Sequence, residues 1–499
     1  MSEKRLAAFS TEPAVLVALA LATVVLHAAV GDRYGFHADE LATLDDARNL
    51  AWGYPGYPPV TAFFARISLI LFGTNLVGFR FFASLAQAIA VVLAGLMTRD
   101  LGGSRCAQLF AAIAAVPFCI GGGALMQYVS FDYLAWVLVA FFVVRLCVSG
   151  DQRFWVVVGA SIGFGMLSKY TMAFFVVGLV AGVLLTDLRR HLRSRWPWIG
   201  GAIAVLVFLP NLVWQWRHEF VALDILKAVH ARDVSLGHTS RFLIDQVRLT
   251  NPPLVLAGLY FYLVSARGRR FRVVGWMYLA TLLLFVFAKA RGYYFFPAYP
   301  MIYAGAAVWG ESWLRSMRPW LARTIATLAF ATLALVVAVT TAFFLPIAPI
   351  GSKWWETSNA LQETYRGEIG WPEMVQEVAR IRDSLTPSER EHLGILATTY
   401  GEAGAINLYG PEYGLPRAIS GSGSYWDRGY GDPPPQALIV LGLSSQAAGE
   451  HLQACRLAGH VWNRYGVPTT ETVYRPDIFV CGPPRRGWLE FWPRFRSYG

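Results

Sequence analysis

The distribution of apolar residues constrains the fold of this chain more than any other feature. Long apolar runs occupy most of the first 345 residues and are nearly absent from the last 150. Since a helix needs roughly 20 apolar residues to cross a bilayer, the runs predict a polytopic α-helical membrane protein with about eleven transmembrane helices. The runs lie at residues 13–31, 79–98, 105–121, 131–149, 153–168, 170–187, 198–216, 252–265, 272–288, 294–311 and 320–345.

The charged residues support this assignment and suggest an orientation. Only 15% of the residues are charged and the mean hydropathy is +0.43, whereas about 25% of the residues of a soluble domain are charged. The net charge is +11, and arginines cluster in alternating turns at 189–195, 267–272 and 315–323. Such clusters are typical of cytoplasmic loops, so membrane topology accounts for the charge and no nucleic-acid partner is expected. With the N-terminus on the cytoplasmic side, an odd number of spans then places the C-terminal tail outside.

The chain is predicted to contain two domains. Residues 1–348 form the transmembrane domain, which includes a long first outer loop at 32–78 with amphipathic helices. Residues 349–499 alternate strand and helix patterns, which predicts a soluble extracytoplasmic α/β domain. The predicted strands lie at 393–399, 436–443 and 475–481, and the predicted helices at 371–384 and 447–455.

The five cysteines divide between these two domains. Cys106, Cys119 and Cys147 fall in apolar runs and are interpreted as packing residues. Cys455 and Cys481 lie in the C-terminal domain, where an oxidising compartment would allow a disulfide. The sequence leaves open whether these two residues meet.

Two sites near predicted outer membrane faces carry acids. Asp39 and Glu40 directly follow the first apolar run, and Asp132 lies at the outer mouth of the fourth. Charged groups at such positions are costly unless water or a partner stabilises them, so all three are candidates for chemistry. The structural alternative is that Asp39 and Asp132 cap helices. Capping does not require a second acid beside Asp39, and it does not explain the neighbouring His37.

Isolated cations occupy two other predicted outer turns. Lys169 lies between two apolar runs, and Lys289 and Arg291 begin a turn that continues into an aromatic segment. The structural alternative is that these side chains extend to lipid headgroups. Carboxylates can accept a proton from a hydroxyl, and cations can stabilise a departing phosphate. Together, the acids and cations indicate transfer of a sugar from a lipid phosphate to an alcohol.

Five motifs follow one another in order within residues 10–345. They are His37-Ala-Asp-Glu40, Tyr57-Pro-Pro59, Ser130-Phe-Asp132, Leu167-Ser-Lys-Tyr170, and Tyr293-Tyr-Phe-Phe-Pro297 with Tyr299-Pro300. Each motif is weak alone, but the ordered set resembles the polyprenyl-phosphate-dependent glycosyltransferases of the GT-C fold. The similar branch contains the protein O-mannosyltransferases and the lipid A aminoarabinose transferase. The resemblance implies a multi-pass protein of the bacterial cytoplasmic membrane, with its active site and C-terminal domain extracytoplasmic.

The resemblance also implies roles for the matched residues. Asp39 corresponds to the catalytic base of the family, and Glu40 is its neighbour of unsettled function. Asp132 corresponds to a second outer acid with a supporting role. Lys169 corresponds to a residue that contacts the lipid phosphate.

Other positions leave a choice or depart from the family pattern. The basic residue before the aromatic-proline motif is Lys289 or Arg291, and Tyr293 at the start of that motif is expected to contact substrate. Relatives have lysine before the Pro-Pro pair, where this chain has Tyr57. Tyrosine can donate a hydrogen bond to phosphate only as a neutral group, which indicates a different lipid or sugar specificity.

The resulting prediction is an inverting glycosyltransferase that uses a polyprenyl-phosphate sugar and a hydroxyl acceptor of unspecified type. A transporter or flippase of a lipid-linked or small polar substrate is the alternative. Transporters often have internal repeats and charges at the bilayer midplane, whereas this chain has no apparent repeat and its charges lie at one face. No cofactor is required by the prediction, and a divalent metal ion with His37 as a ligand is left open.

Overall fold

The computed structural model describes residues 3–237, 239–362 and 364–497, with side chains from residue 14 onward. The extreme ends of the two predicted domains, residues 1–2 and 498–499, lie outside this part. Up to residue 345 the helices are α1 Glu3–Val30, α2 Ala38–Arg48, α3 Val60–Phe72, α4 Leu76–Asp100, α5 Arg105–Gly123, α6 Tyr128–Ser149, α7 Phe154–Met166, α8 Met172–Leu184, α9 Trp196–Arg217, α10 Val221–Ser235, α11 Phe242–Leu249, α12 Pro252–Leu263, α13 Arg272–Phe287, α14 Tyr299–Arg315 and α15 Pro319–Phe344.

Every predicted apolar run overlaps one of these helices. Within the described residues, 6 helices are long and apolar enough to cross a membrane, or 7 if α8 and the bent segment after it form one span. Shorter apolar helices, such as α7 and α12, account for the difference from the predicted number. The protein is therefore a multi-pass α-helical membrane protein, but the count of eleven spans is not confirmed.

The chain divides into two compact units. The first contains Met1–Ala29, Tyr57–Thr61 and Arg80–Leu345, and the second contains Val30–Gly56, Ala62–Phe79 and Pro346–Gly499. The second unit thus combines most of the predicted first outer loop with the C-terminal part of the chain.

Short helices and strands alternate in the C-terminal part of the second unit. The helices are α16 Lys353–Gln362, α17 Trp371–Ser384, α18 Pro387–Glu391, α19 Tyr400–Tyr409, α20 Ser445–His451, α21 Thr470–Tyr474 and α22 Gly487–Arg494. The strands are β1 Leu393–Ala397, β2 Ala418–Ser420, β3 Ala437–Leu441, β4 Arg456–His460 and β5 Asp477–Cys481.

These strands form a mixed sheet in the order β2-β1-β3-β5-β4. The strands β2, β1 and β3 are parallel, whereas β5 runs antiparallel to both β3 and β4. All of β3 is buried, as expected for a central strand with helices on its faces. The predicted α/β fold of the C-terminal part is confirmed, and Cys455, which directly precedes β4, forms a disulfide with Cys481 of β5.

Candidate functional site

Lys169 is the central cation of the first unit. It lies in the turn between α7 and α8, and only 9% of the residue is exposed. Its Nζ lies 3.5 Å from the ring centroid of Tyr294, 5.2 Å from that of Tyr128 and 5.5 Å from that of Tyr293. A side chain enclosed in this way does not extend to lipid headgroups, so that interpretation of Lys169 is wrong. The aromatic faces stabilise the ammonium by cation–π attraction.

Asp132 anchors the turn that carries this lysine. It lies inside α6, whose N-cap is Gln127, so the helix-cap interpretation of Asp132 is wrong. Its Oδ1 accepts a hydrogen bond from Trp136 Nε1 at 3.0 Å, and its Oδ2 accepts one from Thr171 Oγ1 at 3.0 Å. Because Thr171 is two residues from Lys169, the hydrogen bond to Thr171 lets the Asp132 carboxylate hold the turn in place. The same carboxylate also attracts the positive charge of Lys169. Burial lowers the pKa of Lys169 to about 8, and Asp132 opposes that shift.

The Tyr57-Pro-Pro59 motif contacts the same turn. The backbone N–H of Val60 donates to the carbonyl oxygen of Leu167 at 3.0 Å. The ring of Tyr57 lies 6.0 Å from that of Tyr128, one of the rings around Lys169. The first unit therefore brings four of the five sequence motifs together, since Tyr293 and Tyr294 of the aromatic-proline motif also lie beside Lys169.

Arg291 and Lys289 differ in their surroundings. Arg291 forms a two-point ion pair with Asp233 of α10, in which Nε donates to Oδ2 at 2.6 Å and the terminal nitrogen donates to Oδ1. The positive charge of Arg291 also contributes to lowering the pKa of Lys169, so the two cations act on one region. Lys289 is exposed and has a positive φ of 48°. Of the two residues, Arg291 is the one that shares the environment of Lys169.

In the second unit, the acidic pair begins helix α2. His37 is the N-cap: its Nδ1 accepts from the backbone N–H of Asp39 at 3.1 Å. Glu40 is completely buried, and its Oε2 accepts from the backbone N–H of His37 at 3.0 Å. This capping box gives Glu40 a structural role. Asp39 is not the cap, so that interpretation is wrong, and its side chain remains 40% exposed.

Asp39 has a hydrogen-bond partner that sequence reasoning did not find. Its Oδ1 accepts from the hydroxyl of Tyr400, the first residue of α19, at 2.8 Å. The Nδ1 of His37 lies 3.7 Å from Oδ2 of the same carboxylate. No group of three or more His, Cys, Asp or Glu side chains in the described ranges is placed to hold a metal ion.

The other end of α2 is held by buried ion pairs. Asp45 and Asp46 are 1% and 2% exposed, and both accept hydrogen bonds from the guanidinium of Arg428. Asn407 of α19 also donates to Asp45 Oδ2, at 3.2 Å. These acids lie on α2 one to two turns beyond Asp39, so the pairing fixes the helix that presents it.

This pairing predicts a large stability effect for Arg428→Met. Removing one partner of a buried ion pair costs about 3–5 kcal/mol, because the remaining charges lose their compensation. We expect thermal unfolding of the purified protein to occur at a clearly lower temperature. Arg486→Met is the matched control, since Arg486 is 67% exposed and, as the N-cap of α22, pairs with Glu490 of that helix. Equal melting temperatures for the two variants would contradict the structural role of Arg428.

Several functional candidates were missed from the sequence. Tyr128 lies two residues before the Ser130-Phe-Asp132 motif and Tyr294 is the second residue of the aromatic-proline motif, so both could have been found. Asp233 and Tyr400 lie far along the chain from their partners and had no local signal.

Comparison with known proteins agrees with this architecture. Residues 57–214 match the family model described as dolichyl-phosphate-mannose-protein mannosyltransferase. The structure is similar to crystal structures of ArnT from Cupriavidus metallidurans bound to undecaprenyl phosphate and in the apo state, with TM-scores of 0.53 and 0.59. The chain has the GT-C fold.

The GT-C likeness extends over nearly the whole chain. The two alignments cover 94% and 95% of this chain and 97% and 98% of the ArnT chains, at 15% identity in both cases. No curated protein sequence matches the chain. The predicted GT-C resemblance is confirmed, and the family match confirms the predicted enzyme class, a glycosyltransferase. These findings give no support to the transporter alternative.

Proposed function

We propose that this protein is an inverting glycosyltransferase that moves a sugar from a polyprenyl phosphate to a hydroxyl of a cell-envelope lipid, polysaccharide or protein. The reaction takes place at the outer face of the bacterial cytoplasmic membrane, where the C-terminal domain also lies. The ArnT structure bound to undecaprenyl phosphate supports a donor of this lipid class.

The observation that carries the proposal is the buried ammonium of Lys169. A buried cation is costly unless it is paired or hydrogen-bonded, and this one lies among tyrosines in a turn stabilised by Asp132. A phosphate entering this cluster would gain a strong charge-assisted hydrogen bond from the ammonium. The tyrosine hydroxyls offer further donors, and the family-matched segment contains both Asp132 and Lys169.

In the proposed reaction, Asp39 accepts the proton of the acceptor hydroxyl as the hydroxyl oxygen forms a bond to the anomeric carbon. The bond between that carbon and the phosphate oxygen breaks, and its electron pair leaves with the polyprenyl phosphate. Attack opposite to the leaving group inverts the anomeric configuration. Lys169 and Arg291 stabilise the charge that develops on the departing phosphate.

We assign the second phosphate contact to Arg291 rather than Lys289. Arg291 acts electrostatically on Lys169, whereas Lys289 is exposed. The Nε and one terminal nitrogen of Arg291 are bound to Asp233, and the remaining N–H groups of the guanidinium are the donors proposed for phosphate oxygens. Tyr57 and Tyr293 are proposed to donate neutral hydrogen bonds to the donor, with Tyr57 in the position where relatives have lysine.

The test is a turnover assay with a defined product. Purified protein is incubated with synthetic undecaprenyl-phosphate monosaccharides and with membranes from a deletion strain, which supply the acceptor. Mass spectrometry should detect released undecaprenyl phosphate and a glycosylated envelope component for at least one sugar. Transport of the intact lipid-linked sugar across proteoliposome membranes, without its cleavage, would contradict the proposal.

Donor binding should depend on pH through Lys169. Since burial lowers the pKa of this residue to about 8, the ammonium is charged below that pH and loses its proton above it. Affinity for undecaprenyl phosphate should therefore fall by up to about 30-fold between pH 7 and pH 9.5, in line with the loss of the charged form. Lys169→Arg keeps its charge throughout this range and should bind with little pH dependence. An unchanged wild-type affinity up to pH 9.5 would contradict the phosphate contact.

A further inference from the structure

We infer that Tyr400 is a positioning residue for the catalytic carboxylate of Asp39. The inference rests on the proposed function, in which Asp39 is the base, and adds a residue from the C-terminal part of the chain. It also assigns that part a role in catalysis.

The hydrogen bond between the two residues joins separate helices. Tyr400 Oη donates to Asp39 Oδ1 at 2.8 Å, which is an ordinary length for an O–H···O hydrogen bond. The residues are 361 positions apart in the sequence, so the contact exists only in the folded unit. Because the Asp39 side chain is 40% exposed, packing alone does not fix its orientation.

Helices α2 and α19 are packed too closely to move independently. A Cβ added at Gly404 would lie 2.7 Å from the Cβ of Leu41, and one at Gly401 would lie 3.0 Å from the Cβ of Ala38. The next contact along both helices is the hydrogen bond from Asn407 to Asp45. The two helices therefore run side by side in the same direction, with Asp39 and Tyr400 at their first turns.

The start of α19 is also firmly held. The hydroxyl of Thr399 accepts from the backbone N–H of Glu402, whose carboxylate accepts from the backbone N–H groups of Thr398 and Thr399. Glu402 is completely buried, and burial raises its pKa. Tyr400 thus donates from a fixed backbone to the carboxylate, with the first turns of both helices capped.

This geometry has a catalytic consequence. A general base must lie within hydrogen-bond reach of the proton that it removes, and a displacement of about 1 Å can cost roughly 100-fold in rate. The Tyr400 hydroxyl restricts rotation of the carboxylate and so keeps it in position. Tyr400 does not itself exchange a proton in the reaction.

The test compares Tyr400→Phe in two backgrounds. Phenylalanine keeps the ring and its packing, so melting temperature should be nearly unchanged while kcat falls about 10- to 100-fold. The KM for the lipid-linked donor should stay within about twofold, because the phosphate contacts are elsewhere. Tyr413→Phe, at an exposed tyrosine of the same unit, is the matched control and should retain the wild-type kcat.

The second background is Asp39→Asn, measured with long incubations. If Tyr400 acts through the carboxylate, Tyr400→Phe should cause no further loss of residual activity there, because coupled residues are non-additive. A kcat above half of wild type for the single variant, or an equal loss in both backgrounds, would overturn the inference while leaving the base assignment intact. Near-normal turnover of Asp39→Asn alone would instead overturn the base assignment, and the role of Tyr400 with it.

Discussion

Asp39→Asn is expected to lower turnover by about 10²- to 10⁴-fold, the usual contribution of a general base. The amide has the shape of the carboxylate but cannot accept the proton of the acceptor hydroxyl. It retains an oxygen that can accept the hydrogen bond from Tyr400, so the fold should be preserved. The rate of undecaprenyl phosphate release under saturating donor measures the effect.

Two controls separate lost chemistry from lost structure in that experiment. The melting temperature of Asp39→Asn and its affinity for undecaprenyl phosphate should match the wild type. Glu412→Gln removes an exposed acid of the same unit and should leave turnover unchanged. A variant that keeps more than a tenth of wild-type turnover would exclude Asp39 as the base.

Lys169→Met is expected to weaken undecaprenyl phosphate binding and to lower turnover by about 10²- to 10³-fold, as for loss of one preorganised donor to a developing anion. Methionine keeps most of the length of the side chain without its charge. Titration with undecaprenyl phosphate, followed by native mass spectrometry, measures the binding loss. Lys289→Met should change affinity by less than about threefold, because Lys289 is exposed and exposed charges interact weakly.

A folding defect is the competing explanation for the Lys169 variant, since its loss leaves the Asp132 carboxylate buried without the nearby ammonium. Lys169→Met combined with Asp132→Asn removes both charges and should restore much of the lost stability. Phosphate binding should stay weak in this double variant. Recovery of binding together with stability would show that the lysine has only a structural role.

The membrane part of the fold could be predicted because hydrophobicity is a local signal. Each apolar run forms a helix. The length of each helix, however, depends on breaks in the chain that hydropathy does not show, as the short helices α7 and α12 illustrate. In the C-terminal domain, the three apolar strands were predicted. The strands β2 and β4 lie at the edges of the sheet, and β4 is largely exposed. Edge strands of this kind have no clear hydrophobic pattern and were missed.

Residues of the candidate site could be predicted where a charged side chain lies next to an apolar run. Asp39, Asp132 and Lys169 stood out for this reason, because a charge beside a membrane span is unusual. Asp46 lies in the loop that was predicted to contain amphipathic helices, yet it is buried with Arg428. That partner is 382 positions away, and only tertiary packing brings the two together. The same holds for Tyr400, whose neighbours Thr399 and Glu402 carry only the pattern of a helix capping box.

A cryo-EM structure of the protein with undecaprenyl phosphate bound is the most direct test of the proposed donor site. We expect the phosphate to lie within about 3 Å of Lys169 Nζ, with Arg291 as its second cationic contact. A bound phosphate that contacts neither Lys169 nor Arg291 would contradict this expectation.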